Sequence, residues 1–174
     1  HILQYVNQRL LIIICYLIDS TNRLLTTLWP CPAPTFMGTL PVVPLGAYTE
    51  RILRTSGATY STLLAACYYL KLLHISLELS PVAAQSQKWA KTGPIPCPRR
   101  MFLSALMLGW KYTQEKSYSS RVWARISGLS LKEINSNEAM FLVIIDWHLY
   151  IPCENFERRS VYKCLPTRKC QEQK

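Results

Sequence analysis

RRMFLSALMLGWKYTQEKSYSSRVWARISGLSLKEINSNEAMFLVIIDWHLYI, from Arg99 to Ile151, is the stretch whose reading decides the fold. It divides into three helical segments parted by polar turns. The first has Pro98 at its opening position, where a missing backbone donor costs nothing, and an apolar body of Met101, Phe102, Leu103, Ala105, Leu106, Met107 and Leu108. It closes at Lys111 and Tyr112. The second starts after Ser119 or Ser120, either of which can cap it, carries Val122, Trp123 and Ile126 inward, and ends at Gly128. The third, expected over Leu131 to Tyr150, opens with a capping box in which Ser130 and Glu133 satisfy each other's backbone donors. That role accounts for Glu133.

At helical spacing Ile134, Glu138, Phe141, Leu142 and Ile145 share one side of the third segment, so a carboxylate lies inside an apolar stripe. An unpaired buried charge costs several kcal/mol. Two arrangements satisfy Glu138: an ion pair within the fold, or a stripe that ends there at a protein interface.

These residues carry a resemblance. An Arg-rich helix start (Arg99-Arg100), a helix closing on Lys111-Tyr112, an Ile126-Ser127-Gly128 turn and an Asn137-Glu138 helix together resemble the cyclin box, most closely that of the fungal PHO-type or PCL-like cyclins. The likeness is strong over about a third of the chain and weaker back to Tyr48. It implies an all-α fold, a single five-helix cyclin box with an additional N-terminal helix. It also implies a regulatory subunit that binds and activates a cyclin-dependent serine/threonine kinase and selects its substrates. In the family the Lys closing one box helix and the Glu inside a later one grip the kinase, roles that fall on Lys111 and Glu138. One departure is Gly109-Trp110, where the family usually has small residues such as Ala-Ser.

Outward from this stretch, Tyr48 to Arg54 reads as a short amphipathic helix with Ile52 and Leu53 inward, broken by Gly57, and takes the place of the first box helix. Thr59 to His74 is the second. Thr59 is its cap, Leu63, Ala66, Cys67, Leu70 and Leu73 recur at helical spacing, and His74 stands at the C-terminal dipole. The expected organisation is an N-terminal helix over 1–29, a Pro-rich linker over 30–47, the box over 48–151 with an irregular insertion at 75–97, and a basic tail over 152–174. The run Leu10 to Ile18 is too short to span a bilayer and lacks a small-residue cleavage site, so neither a signal peptide nor a membrane anchor is expected. The lack of an initiator Met suggests a fragment. The residues after Ile151 are too few for a second cyclin fold.

The 174 residues are 49% hydrophobic, enough for one sizeable core, and carry a net charge of +10. Lys88, Lys91, Arg99, Arg100, Lys111, Lys116, Arg121 and Arg125 face only Glu115 across their stretch. Such a block suits an acidic partner, and Lys88, Lys91, Arg99 and Arg100 are candidates for steering acidic or phosphorylated substrates. The charge leaves a second reading open, a cyclin-fold nucleic-acid-binding or transcription-related module, although nucleic acid is not the expected partner. The seven cysteines, odd in number and without a CxxC pair, fit a reducing, intracellular setting, nuclear or cytoplasmic. Cys15 and Cys67, in apolar runs, read as inert small hydrophobes. Three histidines, six glycines and no HExxH, GxSxG or phosphate loop leave an enzyme the least supported class; no metal or cofactor is expected. Asp146 and His148, two apart, would diverge on a helix and hold no metal.

Overall fold

The computed structural model describes residues 15–16, 18–28, 36–37, 40–41, 43–79 and 97–154. Helix α1 covers 15–16 and 18–28; α2 is Leu45–Ser56, α3 Tyr60–Leu79, α4 Pro98–Thr113, α5 Ser120–Ser127 and α6 Leu131–Ile144. Two two-residue strands, Phe36–Met37 and Leu40–Pro41, pair antiparallel within the Pro-rich linker and are the sheet structure of the described residues. The core is helical throughout, as the apolar periodicity requires, and α2 to α6 are the five helices expected of the box.

Helix α4 is the hub. Every residue from Met101 to Trp110 is buried, so this helix is enclosed rather than one-sided, with α3 packed most closely and α2 and α6 completing the enclosure. Close approach is possible because residue 109 has no side chain: a β-carbon there would stand 2.7 Å from the Thr62 carbonyl oxygen and 3.0 Å from the Ala66 nitrogen. A polar clasp binds the same two helices at their ends. Thr62 shares hydrogen bonds of 2.9 Å with both Thr59 and Thr113, and the Gln114 amide donates to Thr59 at 3.1 Å.

Several helix ends fall where local chemistry places them. Gly57 and Gly128 hold the left-handed conformation that stops α2 and α5, with φ of 67° and 79°. Thr59 accepts from the Thr62 backbone at 3.3 Å, and the Ser130–Glu133 box is complete in both directions. Ser119 occupies the N-cap position of α5 without a side-chain bond, so the capping expected there is positional only.

Other boundaries differ from the sequence expectation. Helix α2 begins at Leu45, because Pro44 serves as N-cap and Gly46 is accommodated against Asn22 of α1, so 45–47 belong to the box and not to the linker. Helix α3 continues to Leu79, five residues beyond His74; His74 is therefore mid-helix and pairs with Glu78 at 3.5 Å, and 75–79 are regular. The rest of the 75–97 insertion lies outside the described residues, apart from Cys97 at the N-cap of α4. Helix α6 stops at Ile144, short of Tyr150, because Asp146 and Trp147 adopt φ of 51° and 57° and turn the chain back.

The described part of α1 packs on the box through Ile18, Thr21 and Leu25, with Thr21 3.6 Å from the Cys67 sulfur. Cys15, in contrast, is exposed and is not a core residue, since α1 turns Ile18 and Leu25 inward instead. Val122 and Ile126 are only partly buried, Trp123 being the inward anchor of α5. Trp29, residues 1–14 of the expected N-terminal helix and the tail beyond residue 154 lie outside the described residues.

Candidate functional site, the α4–α6 edge

Lys111 stands two residues before the end of α4, and Glu138 halfway along α6. Packing of these helices brings the Lys111 ammonium to 2.5 Å from the Glu138 carboxylate. Of the two arrangements open to Glu138, the isolated chain takes the internal ion pair. The pair lies at the rim: the Glu138 side chain is 13% exposed and that of Lys111 45%. Its net contribution to stability is therefore small, roughly 0–1 kcal/mol, since water screens the lysine.

Aromatic contacts tie the end of α4 to α3 and to the chain after α6. Tyr112, next to Lys111, stands edge-on to Tyr69 at 6.3 Å and accepts from the Ile151 backbone at 3.4 Å, which draws the chain after α6 to the end of α4. Tyr69 in turn donates to the Leu149 carbonyl at 2.8 Å; burial pushes its hydroxyl well above the ordinary tyrosine value, so it remains a donor. The left-handed residues after α6 leave Trp147 62% and Tyr150 74% exposed, with Val143 also open to solvent. A bulky residue at positive φ is an outlier that the surrounding structure must hold in place. Here the hold comes from the Trp147 backbone donating to Leu142 at 3.0 Å and Asp146 to Val143 at 3.1 Å.

On the other side of Lys111, Trp110 is fixed by stacking on Tyr118 at 4.7 Å, by an edge contact to Trp123 at 5.7 Å and by donation to the Lys116 carbonyl at 3.2 Å. The Gly109-Trp110 departure is thus a matched exchange. Glycine lets α3 close in while the indole fills the space above α5.

Of the candidate steering residues, the described pair Arg99 and Arg100 is already engaged. Lys88 and Lys91 lie outside the described residues. Arg100 is bound to Glu133 at 2.8 Å, which gives Glu133 a second role that its local capping did not disclose. Arg99 donates to the Val43 carbonyl and lies over the Tyr48 ring. The Ser130 backbone and hydroxyl, with burial opposing and Arg100 assisting, hold the Glu133 carboxyl below its ordinary range. Asp146 and His148 belong to a turn, not a helix, and lie 4.0 Å apart; no group of three potential metal ligands occurs among the described residues. No described helix is long and apolar enough to cross a membrane.

The cyclin family profile matches residues 18–149, most of the chain and all five box helices. The chain belongs to the cyclin family. It is 35% identical over 117 residues to the G1/S-specific cyclin pas1 of Schizosaccharomyces pombe, covering 67% of this chain and 26% of pas1. To PHO85 cyclin-5 of Saccharomyces cerevisiae it is 26% identical over 113 residues, 63% of this chain and 45% of the relative. Cyclin-U4-3 of Arabidopsis thaliana is 23% identical over 118 residues, covering 68% of this chain and 49% of that cyclin. The chain thus spans between about a quarter and a half of the length of these curated relatives. No solved structure matches it. The likeness to PHO-type cyclins holds.

Proposed function

We propose that this cyclin binds a cyclin-dependent protein kinase through the α4–α6 edge and activates it without chemistry of its own. The observation that carries the reading is the rim ion pair of Lys111 and Glu138, with the exposed Tyr112 next to Lys111 in the chain. A kinase regulatory helix presents unsatisfied backbone donors at its N-terminus, which Glu138 can accept, and the loop before it presents carbonyls for Lys111. On docking, the internal pair is exchanged for partner backbone while Tyr112, Val143 and Trp147 supply the apolar area. Holding that helix inward forms the kinase's own Lys-Glu pair, without which the ATP phosphates are not positioned. One relative is named as a PHO85 cyclin, and a kinase partner is proposed here for this chain.

The test is to measure thermal melts and kinase pull-down on Lys111→Ala and Glu138→Ala. Each is expected to lose kinase binding and activation, by about 2–5 kcal/mol for a desolvated charge contact, while the melting temperature stays within a few degrees. Normal activation by Glu138→Ala would overturn the assignment. A purely structural pair would give the reverse pattern, a lower melting temperature with binding retained. Binding that weakens steeply with salt would instead favour a nucleic-acid module. Substrate selection, and action in the nucleus or cytoplasm, belong to the same proposal.

A further inference from the structure

The corner where α2 meets the start of α4 gathers cationic donors. Two guanidiniums converge on one ring: Arg51 lies 5.8 Å and Arg99 5.7 Å from the centre of Tyr48. Like charges repel, so gathering them at one place has a cost unless something of opposite sign offsets it. Neither has a carboxylate partner among the described residues. Acids on the packed elements are already engaged, Glu50 by Arg54 and Glu133 by Arg100, each at 2.8 Å.

The ring itself is buried, yet its hydroxyl has no hydrogen-bond partner among the described residues and is not sealed from solvent. Burial pushes that hydroxyl up to about 12, against the pull of Arg51, Arg99 and Arg100, so it is a donor at any physiological pH. The first turn of α4 adds backbone donors at Arg99 and Arg100 that no described side chain caps. Arg99 is itself positioned, by its bond to the Val43 carbonyl, with further guanidinium donors to spare.

We infer that Tyr48, Arg51 and Arg99 form a phosphate-binding site that takes a phosphorylated serine or threonine of a protein partner. Arginine forks pair bidentately with phosphate oxygens, and the planar guanidiniums are already held by the ring, so little side-chain freedom is lost on binding. A dianionic monoester satisfies two guanidiniums better than a carboxylate or a phosphodiester does. The site deepens the cyclin reading by naming a substrate class, and rests on that reading only for what the phosphoprotein is used for. It also relocates the steering function expected from the basic block: Arg99 keeps it, Arg51 joins it, and Arg100 is committed to Glu133.

The experiment is a titration of the isotopically labelled full chain, observed by NMR at backbone amides and arginine Nε–H groups. The probes are an acetylated Gly-phosphoserine-Gly amide, its unphosphorylated counterpart, inorganic phosphate, and an oligothymidylate at equal phosphate concentration. The phosphopeptide is expected to shift Arg51, Arg99 and Arg100 resonances saturably, and the unphosphorylated peptide to leave them in place. Arg51→Gln, at an exposed position with only the ring contact, should weaken binding by about tenfold or more without altering the melt. Arg99→Lys keeps the charge but not the fork and should weaken it as well. No saturable shift, or unchanged affinity in Arg51→Gln, overturns the site. Equal affinity for inorganic phosphate reduces it to an adventitious ion, and tighter binding of the oligothymidylate transfers the surface to nucleic acid; either outcome overturns the phosphoprotein assignment. Because no kinase is present, loss of the kinase reading and loss of this one are separable.

Discussion

Gly109 lies so close to α3 that a β-carbon on it would stand 2.7 Å from the carbonyl oxygen of Thr62. The obstacle is backbone, which cannot swing aside as a side chain does. Gly109→Ala is therefore expected to destabilise the domain despite the better helix propensity of alanine. Overpacking costs about 1–3 kcal/mol and the propensity gain returns roughly 1 kcal/mol. Denaturant melts that show a gain in stability would mean that α3 and α4 are farther apart than described.

Phe141 is fully buried on the inner face of α6, with Ile134 buried on the same helix, Ile145 just beyond its end and Leu106 on α4. Truncation to alanine removes a large ring from an enclosed position and should cost about 3–5 kcal/mol if the cavity stays open. A loss well under 1 kcal/mol by chemical denaturation would show that the face of α6 is wrongly assigned.

Asn137 presents the opposite case. The residue is only 3% exposed and its amide nitrogen has no hydrogen-bond partner among the described residues. Leaving such a donor unsatisfied costs about 1–3 kcal/mol, whereas an apolar group of similar size avoids the penalty. Asn137→Leu should thus raise the melting temperature by several degrees, and a lowered one would show that the amide is satisfied in solution.

Glu133 ties the start of α6 to the start of α4 through Ser130 and Arg100. Its folded-state value is depressed below 4.5, so the stabilisation is fully present above that pH and is lost as pH falls through the lower folded value. Glu133→Gln keeps an N3 cap but cannot titrate. Its melting temperature is expected to vary less than wild type on acidification below 4.5; parallel curves would assign the acid sensitivity to other carboxylates.

What was legible in the sequence was local. Gly57, Gly128, Pro98 and the Ser130–Glu133 box act within one helical turn, and each performs its expected role. The buried stripe of Ile134, Phe141 and Ile145 was equally plain, since periodicity reports burial directly. Periodicity misleads where burial outlasts the helix: Ile145 and Ile151 stay in the core although the helix ends at Ile144, so the apolar pattern ran through a left-handed turn unseen. Gly46 and Pro44 read as linker because their helix-opening role depends on α1 lying beside them. The ion pair of Lys111 with Glu138 and that of Arg100 with Glu133 join residues 27 and 33 positions apart, so only packing could choose between the partners each charge might take. The Arg51–Tyr48–Arg99 corner was hidden for the same reason, with Arg51 a routine surface charge of α2 until α4 is laid against it.

The left-handed pair at Asp146 and Trp147 has a consequence for where the box can be cut. By reversing direction there, the chain carries the Leu149 carbonyl back to Tyr69 in the middle of α3 and seats Ile151 in the core beside Tyr112. The last helix is therefore not the last structural member. Ending the polypeptide at Ile144 would preserve α2 to α6 yet orphan the Tyr69 hydroxyl and uncover the end of α4, so the non-helical run to Ile151 is a latch that holds the far ends of α3 and α4 together.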